Sequence, residues 1–436
     1  TSPYAMSTTP RVAVVGGGIA GTLASLVLRN RGLNPLLIDQ GRGAVGGRLR
    51  GAARSKLGVD AGAQFFRAYD PRLGHVLQMM EGAGLLKRWE GRFGLLGSQG
   101  GGFLPSSIVG SAAPPGTMGR QGETSPGEGQ PKATDYGDFC GFVSHHRPDS
   151  VPTYVALPSN ADLCPKICQM ADIEAVTDTR VIKAEMVEGG GWSLDLESSN
   201  YDYLRDEMFD ALVLTTHDPS LASKTVQSIA QAEAQASAGL SDADLAAGAI
   251  QARLENLARD LQLIRDSGRQ PLFTWSGRFS SSCVPFDAAS VPGSHVVQFL
   301  ARESSKPDRH CGTEGEVWTA MSTSTFAKDI LERYGKTREA SEEASIILSQ
   351  EVAGLLAIAT GNKKETPTEA SAVRWASAFT SQTLGLKEDS IILHPWRLAI
   401  GGEFIHEINA YETPFEATAL SGLEAGDRIA ALLQQT

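Results

Sequence analysis

The sequence has little of what marks a membrane protein, a disulfide scaffold or a nucleic-acid binder. No stretch of its 436 residues holds the roughly 20 uninterrupted apolar residues that a membrane-spanning helix needs. Five cysteines (Cys140, Cys164, Cys168, Cys283 and Cys311) are too few and too scattered for a disulfide framework. Cys164 and Cys168 stand one helical turn apart, but no two further ligands are spaced to complete a metal site. They read as buried thiols of a reducing compartment, and no metal is expected. Positive charge is in deficit: 39 Lys and Arg against 50 Asp and Glu give a net −11. That balance argues against nucleic acid or an anionic membrane surface as the main partner, while leaving room for a local basic pocket for phosphate. No internal repeat stands out at the periods of repeat folds.

What is present is ordinary for a globular chain: 41% hydrophobic, 20% charged and 7% aromatic residues. The length predicts two or three domains with a large core. Thr1 to Pro10 is short, polar and uncharged, and reads as the remnant of a processed targeting peptide or as an added leader. Gly, Ser, Pro and Thr dominate 97–135, which is expected to be a long surface insertion because it cannot bury enough apolar area to fix itself. The spacing of Leu240, Leu245, Ile250, Leu254, Leu257, Leu261 and Ile264 predicts one or two helices within 223–266. Strands are expected at 181–187, 192–196, 211–214, 272–275 and 296–300, and a last helix over 418–433.

The informative stretch is near the start. Arg11 to Val15 is a short β-branched run, Gly16-Gly17-Gly18-Ile19-Ala20-Gly21 follows at once, and Thr22 to Arg31 has helical spacing closed by Gly32. Leu36-Leu37-Ile38 is a second strand, ended by Asp39. This is a complete strand–turn–helix–strand unit carrying G-x-G-x-x-G, and each glycine has a task. Gly16 permits the tight turn, Gly18 lets backbone approach a pyrophosphate, and Gly21 lets the helix pack on the sheet. Ile19 and Ala20 open the helix, whose N–H groups and positive dipole end face the phosphates. Asp39 suits ribose hydroxyls and disfavours a 2′-phosphate, so FAD or NAD fits better than NADP.

After Asp39 and Gln40 comes Gly46-Gly47-Arg48, then Asp60-Ala61-Gly62-Ala63-Gln64-Phe65-Phe66. This arrangement resembles the flavin-dependent amine oxidase and protoporphyrinogen oxidase superfamily, and within it the renalase-like proteins. The likeness continues through Tyr154 to Pro158, Arg180-Val181, Gly191 to Leu194, Phe209 to Leu214 with Thr215 beyond, Arg374-Trp375, Gly401-Gly402-Glu403 and Phe415 to Gly422. The resemblance implies an α/β protein with a Rossmann-like FAD-binding domain and a second α+β substrate domain, the flavin ring lying at their boundary. It implies non-covalent FAD, held by the glycine turn, Asp39, Gln40, Gly46, Gly47, Arg48, Ala63 to Phe66, Val181, Thr215, Gly402, Glu403, and Ala419 and Leu420 at the start of the last helix. Two departures stand out: Glu403 where Asp is usual, and Ala417 where Gly is usual. The expected division is discontinuous: 1–75, 165–220 and 395–436 for FAD; 76–164 and 221–394 for substrate.

The activity implied is hydride transfer from a small reduced substrate to flavin N5, with oxygen as acceptor giving hydrogen peroxide. In renalase-like proteins the substrates are the 2- and 6-dihydro isomers of NAD(P)H, whose electron-rich rings need stacking walls more than a strong base. Gln64 is the polar candidate beside the flavin, and Trp275, Trp318 and Trp396 are candidates for the substrate wall, against core packing as the alternative. His217 follows a strand that leads to the cofactor; His295, His394 and the pair His145-His146 carry no clear signal. Lys306, Lys328 and Lys363 lie where an amine oxidase would hold a flavin-side lysine, none in a recognisable context. The alternatives are an amine oxidase, a desaturase, or a FAD-binding assembly factor whose protein partner attaches through 97–135. A soluble protein of a reducing compartment is expected, organellar (chloroplast) or cytoplasmic.

Overall fold

The computed structural model describes residues 9–50, 57–97, 102–106, 139–142, 151–188, 190–197, 201–237, 245–280, 284–309, 311, 315–407 and 413–435. In chain order the elements begin with β1 (Arg11–Val15), α1 (Ile19–Asn30), β2 (Asn34–Ile38), α2 (Pro71–Gly82), β3 (Leu86–Arg88), β4 (Phe93–Leu96), β5 (Phe103–Pro105) and β6 (Tyr154–Ala156). They continue with α3 (Leu163–Met170), β7 (Glu174–Val176), β8 (Val181–Met186), β9 (Trp192–Leu196), β10 (Ala211–Leu214), α4 (Ser220–Ser237) and α5 (Leu245–Asp266). The rest are β11 (Arg269–Phe279), β12 (Ala288–Ser290), β13 (Val297–Arg302), β14 (Glu316–Ser322), α6 (Ser324–Tyr334), α7 (Arg338–Thr360), β15 (Glu369–Thr380), β16 (Ile391–Leu393), β17 (Leu398–Ile400) and α8 (Pro414–Gln434). They form two compact units, one of residues 1–48, 162–268 and 380–436, the other of 49–161 and 269–379. Set against the expected division, 49–75 falls in the second unit, and 162–164, 221–268 and 380–394 fall in the first.

The first unit is built on a six-stranded sheet, β16-β17-β10-β1-β2-β7. From β17 to β7 every pairing is parallel; only β16 runs against its neighbour. Strands buried on both faces explain the unbroken apolar runs Val12–Val15 and Leu36–Ile38. One face packs Ala13, Val15, Ile38, Leu214 and Ile400 against α4, α5 and the β8–β9 ribbon, through Val226, Leu261 and Trp192. Each Val, Leu or Ile side chain so removed from water is worth about 1.5–3 kcal/mol. α1 packs closely on α8: a Cβ on Gly422 would come within 2.1 Å of the Ala20 carbonyl oxygen, so only glycine fits there. The 223–266 region forms two helices, and the last helix starts at Pro414, four residues before the expected 418. Cys164 and Cys168 lie on α3, and burial pushes both thiols up to about 12.

The second unit has a seven-stranded, mostly antiparallel sheet, β15-β11-β14-β13-β12-β4-β5. On one face Phe273, Trp275, Phe279 and Trp318 meet Ala340, Ala344, Leu348, Val352 and Leu356 of α7. Those α7 positions recur every four residues, the stripe of a helix laid on a core. Among the described residues α7 is the one helix long and apolar enough to cross a membrane, with a mean hydropathy of 1.3 over its best window. Its apolar stripe is spent on this sheet instead. The other face gathers Phe65, Trp89, Phe93, Phe142, Phe299 and Met321. Of the 97–135 insertion, β5 pairs with β4, and 98–101 and 107–135 lie outside the described residues, as do His145 and His146.

Candidate functional site

The register of the first sheet sets the site. Val15 stands opposite Ile38 on one side and Leu214 on the other, and Leu214 stands opposite Ile400. One step further along each strand are Gly16, Asp39, Thr215 and Gly401; two steps beyond that are Gly18, Gly41, His217 and Glu403. Four segments separated by up to 385 positions thus line the carboxyl edge of one parallel sheet, where α/β sheets bind ligands.

The glycines are sterically required. Gly16 has φ +113°, and a Cβ there would meet the Thr215 backbone and hydroxyl at 2.8–2.9 Å. A Cβ on Gly17 would reach within 2.2 Å of Asp39 Oδ2, and one on Gly21 within 1.9 Å of the Gly16 carbonyl. A Cβ on Gly18 would have nothing within 4 Å: that side of the turn faces open space. Thr215 Oγ1 donates to the carbonyls of Val15 and Gly16, 3.2 and 3.0 Å away, and so braces the turn. α1 begins at Gly18 with no side-chain cap and no acid in its first turn, which leaves its dipole end uncompensated by the helix itself. The second glycine pair closes over this turn. Gly46 N–H donates to the Gly17 carbonyl at 2.6 Å, and a Cβ on Gly47, at φ +51°, would stand 3.1 Å from Gly18 Cα. Asp39 is buried, accepts the Gly41 N–H at 2.5 Å, and has its backbone tied to Val176 and Thr179. Gln40 beside it is exposed. An open, N–H-rich turn under a glycine lid with a carboxylate on the next strand fits the adenosine diphosphate half of a dinucleotide.

Arg48 leaves this lid and pairs with Glu403 Oε2 at 2.5 Å. Glu403 Oε1 accepts the Thr380 N–H at 3.1 Å and faces His217 Nδ1 at 3.1 Å, with the ring turned off the line of a straight hydrogen bond. Burial pushes the Glu403 carboxyl up, but Arg48 and His217 outweigh it, and the group is held down at about 2. Glu403 is therefore an anion at any working pH, and its charge goes to Arg48 and His217. Gly402, at φ +141°, carries Glu403 to this position and is anchored by Ser421 Oγ at 2.7 Å.

Other expected residues fall elsewhere. Ala63, Gln64, Phe65 and Phe66 belong to the second unit. The Gln64 amide nitrogen donates to the carbonyls of Asp60 and Gly62, and its oxygen accepts from Lys306, so its capacity is used in folding its own loop. Phe65 packs in the aromatic core, 5.1 Å from the Arg67 guanidinium, and Phe66 bridges to Tyr154. Trp275 and Trp318 are fully buried under α7, with the Trp275 indole N–H on Ser349. They are core residues because their strand positions face the helices. Trp396 belongs to the first unit, where its carbonyl accepts the Trp192 indole N–H. Val181 lies in that unit's core. Ala419 and Leu420 are buried in the second turn of α8, not at its start. That start is capped by Thr413 and carries Glu416 in its first turn, which opposes a further anion.

Lys306, a flavin-side candidate by its place in the sequence, stands instead in a buried cluster with Asp60, Gln64 and Glu303. Its ammonium donates to Glu303 Oε1 at 2.7 Å, Gln64 Oε1 at 3.1 Å and Asp60 Oδ2 at 3.2 Å, and lies 5.4 Å from the Trp89 ring. Arg309 grips Asp60 Oδ2 through Nε and Nη2, and Asn160 N–H donates to Asp60 Oδ1 at 2.8 Å. Burial pushes the Glu303 carboxyl up against the pull of Lys306 and Arg309. The spacing Glu303–Lys306 was visible in the sequence as an i,i+3 pair; that Asp60 completes it was not.

Residues 14–80 match the NAD(P)-binding Rossmann-like domain. Over 67 residues the chain is 40% identical to protoporphyrinogen oxidase 2, chloroplastic/mitochondrial, of Arabidopsis thaliana, a match that spans 15% of this chain and 13% of that relative. Solved structures agree in fold along nearly the whole length. A putative protoporphyrinogen oxidase from Exiguobacterium sp. 255-15 matches with a TM-score of 0.58 at 14% identity, over 99% of this chain and 100% of the other. Cyclohexylamine oxidase from Brevibacterium oxydans matches at 0.57 and 12%, over 98% and 100%. Putrescine oxidase matches at 0.56 and 12%, over 97% and 99%. At these identities the likeness is one of fold: the chain shares the mixed α/β architecture of these solved oxidases.

Proposed function

We propose that the chain is a FAD-dependent oxidoreductase of the renalase type, with the unit of residues 1–48, 162–268 and 380–436 as its cofactor domain and the other unit as its substrate domain. The observation that carries the cofactor is the glycine cradle: Gly18 facing open space at the uncapped start of α1, with Gly46 and Gly47 packed over it and Asp39 on the next strand. In this reading the turn from Gly16 to Gly21 and Arg48 hold the diphosphate, and Asp39 takes the ribose hydroxyls. When bound, FAD supplies an acceptor for two electrons and a proton.

The substrate is a small, flat, reduced ring, such as a 2- or 6-dihydro isomer of NAD(P)H, and the balance is substrate plus oxygen plus a proton giving the oxidised nicotinamide cation and hydrogen peroxide. Loss of hydride leaves an aromatic cation, so the chain needs no strong base. The lysines support this over amine oxidation. Lys306 is buried with its three N–H groups spent on Glu303, Gln64 and Asp60, and Lys328 and Lys363 are exposed. Lys306 therefore has no N–H group left to hold a water molecule beside a flavin.

The test is an anaerobic absorbance titration of the purified holoprotein with a borohydride-made mixture of dihydronicotinamide isomers. Bleaching of the oxidised-flavin band by the 2- or 6-dihydro isomers and not by ordinary NADH is expected. A band bleached instead by a primary amine would overturn the substrate class and keep the cofactor.

A further inference from the structure

We propose that His217 is a positioning residue for the dinucleotide, acting through Glu403 on Arg48. The inference rests on the dinucleotide reading above and goes beyond it, because His217 belongs to neither glycine motif.

The argument is one of register and of oxygens. β10 and β17 are parallel neighbours with Leu214 opposite Ile400, and His217 and Glu403 each lie three residues past that pair. The sheet itself therefore sets the two side chains abreast at its carboxyl edge. A carboxylate has two oxygens. Oε1 of Glu403 accepts the Thr380 N–H at 3.1 Å, and the His217 ring stands against it, with Nδ1 at 3.1 Å but off the line of a straight hydrogen bond. With Oε1 fixed, Oε2 can turn in only one direction, and Arg48 lies there. Arg48 follows directly on Gly47, whose backbone packs on Gly18. A guanidinium held at one nitrogen by a carboxylate keeps its other donors in a fixed fork, the geometry that recognises phosphate. Without His217 the Glu403 carboxylate keeps one support on Oε1, swings more freely, and lets Arg48 follow it. The His217 ring is about a quarter exposed and Arg48 slightly more, while Glu403 between them is 5% exposed, so the chain of contacts runs through a dry centre between two wetter ends. There a charge contact is stronger than it is in water.

The test measures how much FAD the holoprotein releases on dilution, read by the rise in free-flavin fluorescence. It compares the parent with His217→Ala, His217→Asn, Arg48→Ala and the double variant His217→Ala/Arg48→Ala. His217→Ala is expected to weaken FAD retention about fivefold to tenfold, and His217→Asn, whose amide can stand in for Nδ1–H, to restore it to within about twofold. In the Arg48→Ala background the His217→Ala change is expected to add less than about twofold, since two residues acting on one contact are not additive. Near-ultraviolet circular dichroism checks the fold; should His217→Ala disturb it, His217→Leu, which keeps the bulk, carries the same expectation. Retention by His217→Ala within twofold of the parent overturns the proposal, and so does a loss of equal size in the Arg48→Ala background. A parent protein that neither carries FAD nor takes it up fails differently, since it overturns the dinucleotide reading itself.

Discussion

In the second unit Lys306, Asp60, Glu303 and Arg309 bring together two positive and two negative side chains, all of them within 1% of full burial. In the Rossmann unit Arg48, Glu403 and His217 bring together a comparable set, but only Glu403 is dry; Arg48 is 29% and His217 24% exposed. The first cluster is closed: every ammonium proton of Lys306 has a protein acceptor, and Asp60 is gripped by Lys306, Arg309 and the Asn160 backbone. The second has a dry centre and two partly exposed ends. The difference teaches what each is for. Charges removed wholly from water must satisfy one another and have nothing left for a ligand, so a closed cluster fixes a loop, here Asp60 to Phe66. A cluster with a buried centre and wet ends keeps donors to offer, at a cost in stability that its buried anion has to offset.

The comparison breaks first at Lys306. Its replacement by Met leaves Asp60 and Glu303 buried with one cation fewer, and a cost of about 3–5 kcal/mol is expected in urea unfolding. Replacing Glu303 by Leu at the same time removes the stranded charge and is expected to return more than half of that loss. A single-variant cost under about 1 kcal/mol would mean that water reaches the cluster, and the contrast with the Rossmann unit would fall.

Acid sharpens the comparison next. Glu403 is held at about 2, below an ordinary carboxylate near 4.5. The sign follows from the direction: a depressed folded value means stability fully present above pH 5 and lost as pH falls from about 4.5 through about 2. A shift of that size amounts to about 3 kcal/mol. Guanidinium unfolding at pH 5, 4, 3 and 2.5 is expected to show the parent losing this increment and Glu403→Gln lacking it. Parallel loss in both proteins would place the acid-sensitive contact elsewhere.

These clusters also mark how far the sequence could be read. The strand–turn–helix–strand unit was legible because its signals are local: Gly16, Gly18 and Gly21 each answer to a turn or a helix within ten residues, and Asp39 closes the next strand. The strands at 181, 192 and 211 were legible for the same reason. The contacts that were not legible are long-range. Asp60 meets Lys306 and Arg309 across some 246 and 249 positions, and Glu403 meets Arg48 across 355. Trp275 and Trp318 could equally have lined a pocket, because an alternating strand shows two faces and the sequence does not say which one the helices cover. The start of the last helix was misjudged because Thr413 and Pro414, a good cap followed by a proline in the first turn, were passed over for the apolar spacing further on.

Arg48→Lys tests the open cluster itself. An ammonium keeps the charge toward Glu403 but lacks the planar fork, so FAD retention is expected to fall about tenfold while stability changes by less than about 1 kcal/mol, as for other pairs open to water. A large loss of stability with FAD retained would make Arg48 a scaffold residue like Lys306.

The smallest expected effect is a non-event, and it extends the contrast from charge to thiol chemistry. Burial pushes Cys164 and Cys168 of the Rossmann unit up to about 12, and Cys311 of the second unit up to about 11. The thiolate is the reactive form, and at pH 8 a thiol at about 12 is ionised to roughly one part in ten thousand. Cys311 has Lys306 and Arg309 acting to lower it, yet burial and the Glu303 charge outweigh them. A closed cluster that satisfies its own cations has little positive field left to ionise a neighbouring thiol. In a Cys140→Ser/Cys283→Ser background, the native protein at pH 8 is therefore expected to titrate no thiol with an aromatic disulfide reagent over minutes, and the urea-unfolded protein to titrate three. Rapid labelling of Cys311 alone in the native state would show that the Lys306 cluster opens to solvent on that timescale, and its closed character would then belong to the time average and not to the ensemble.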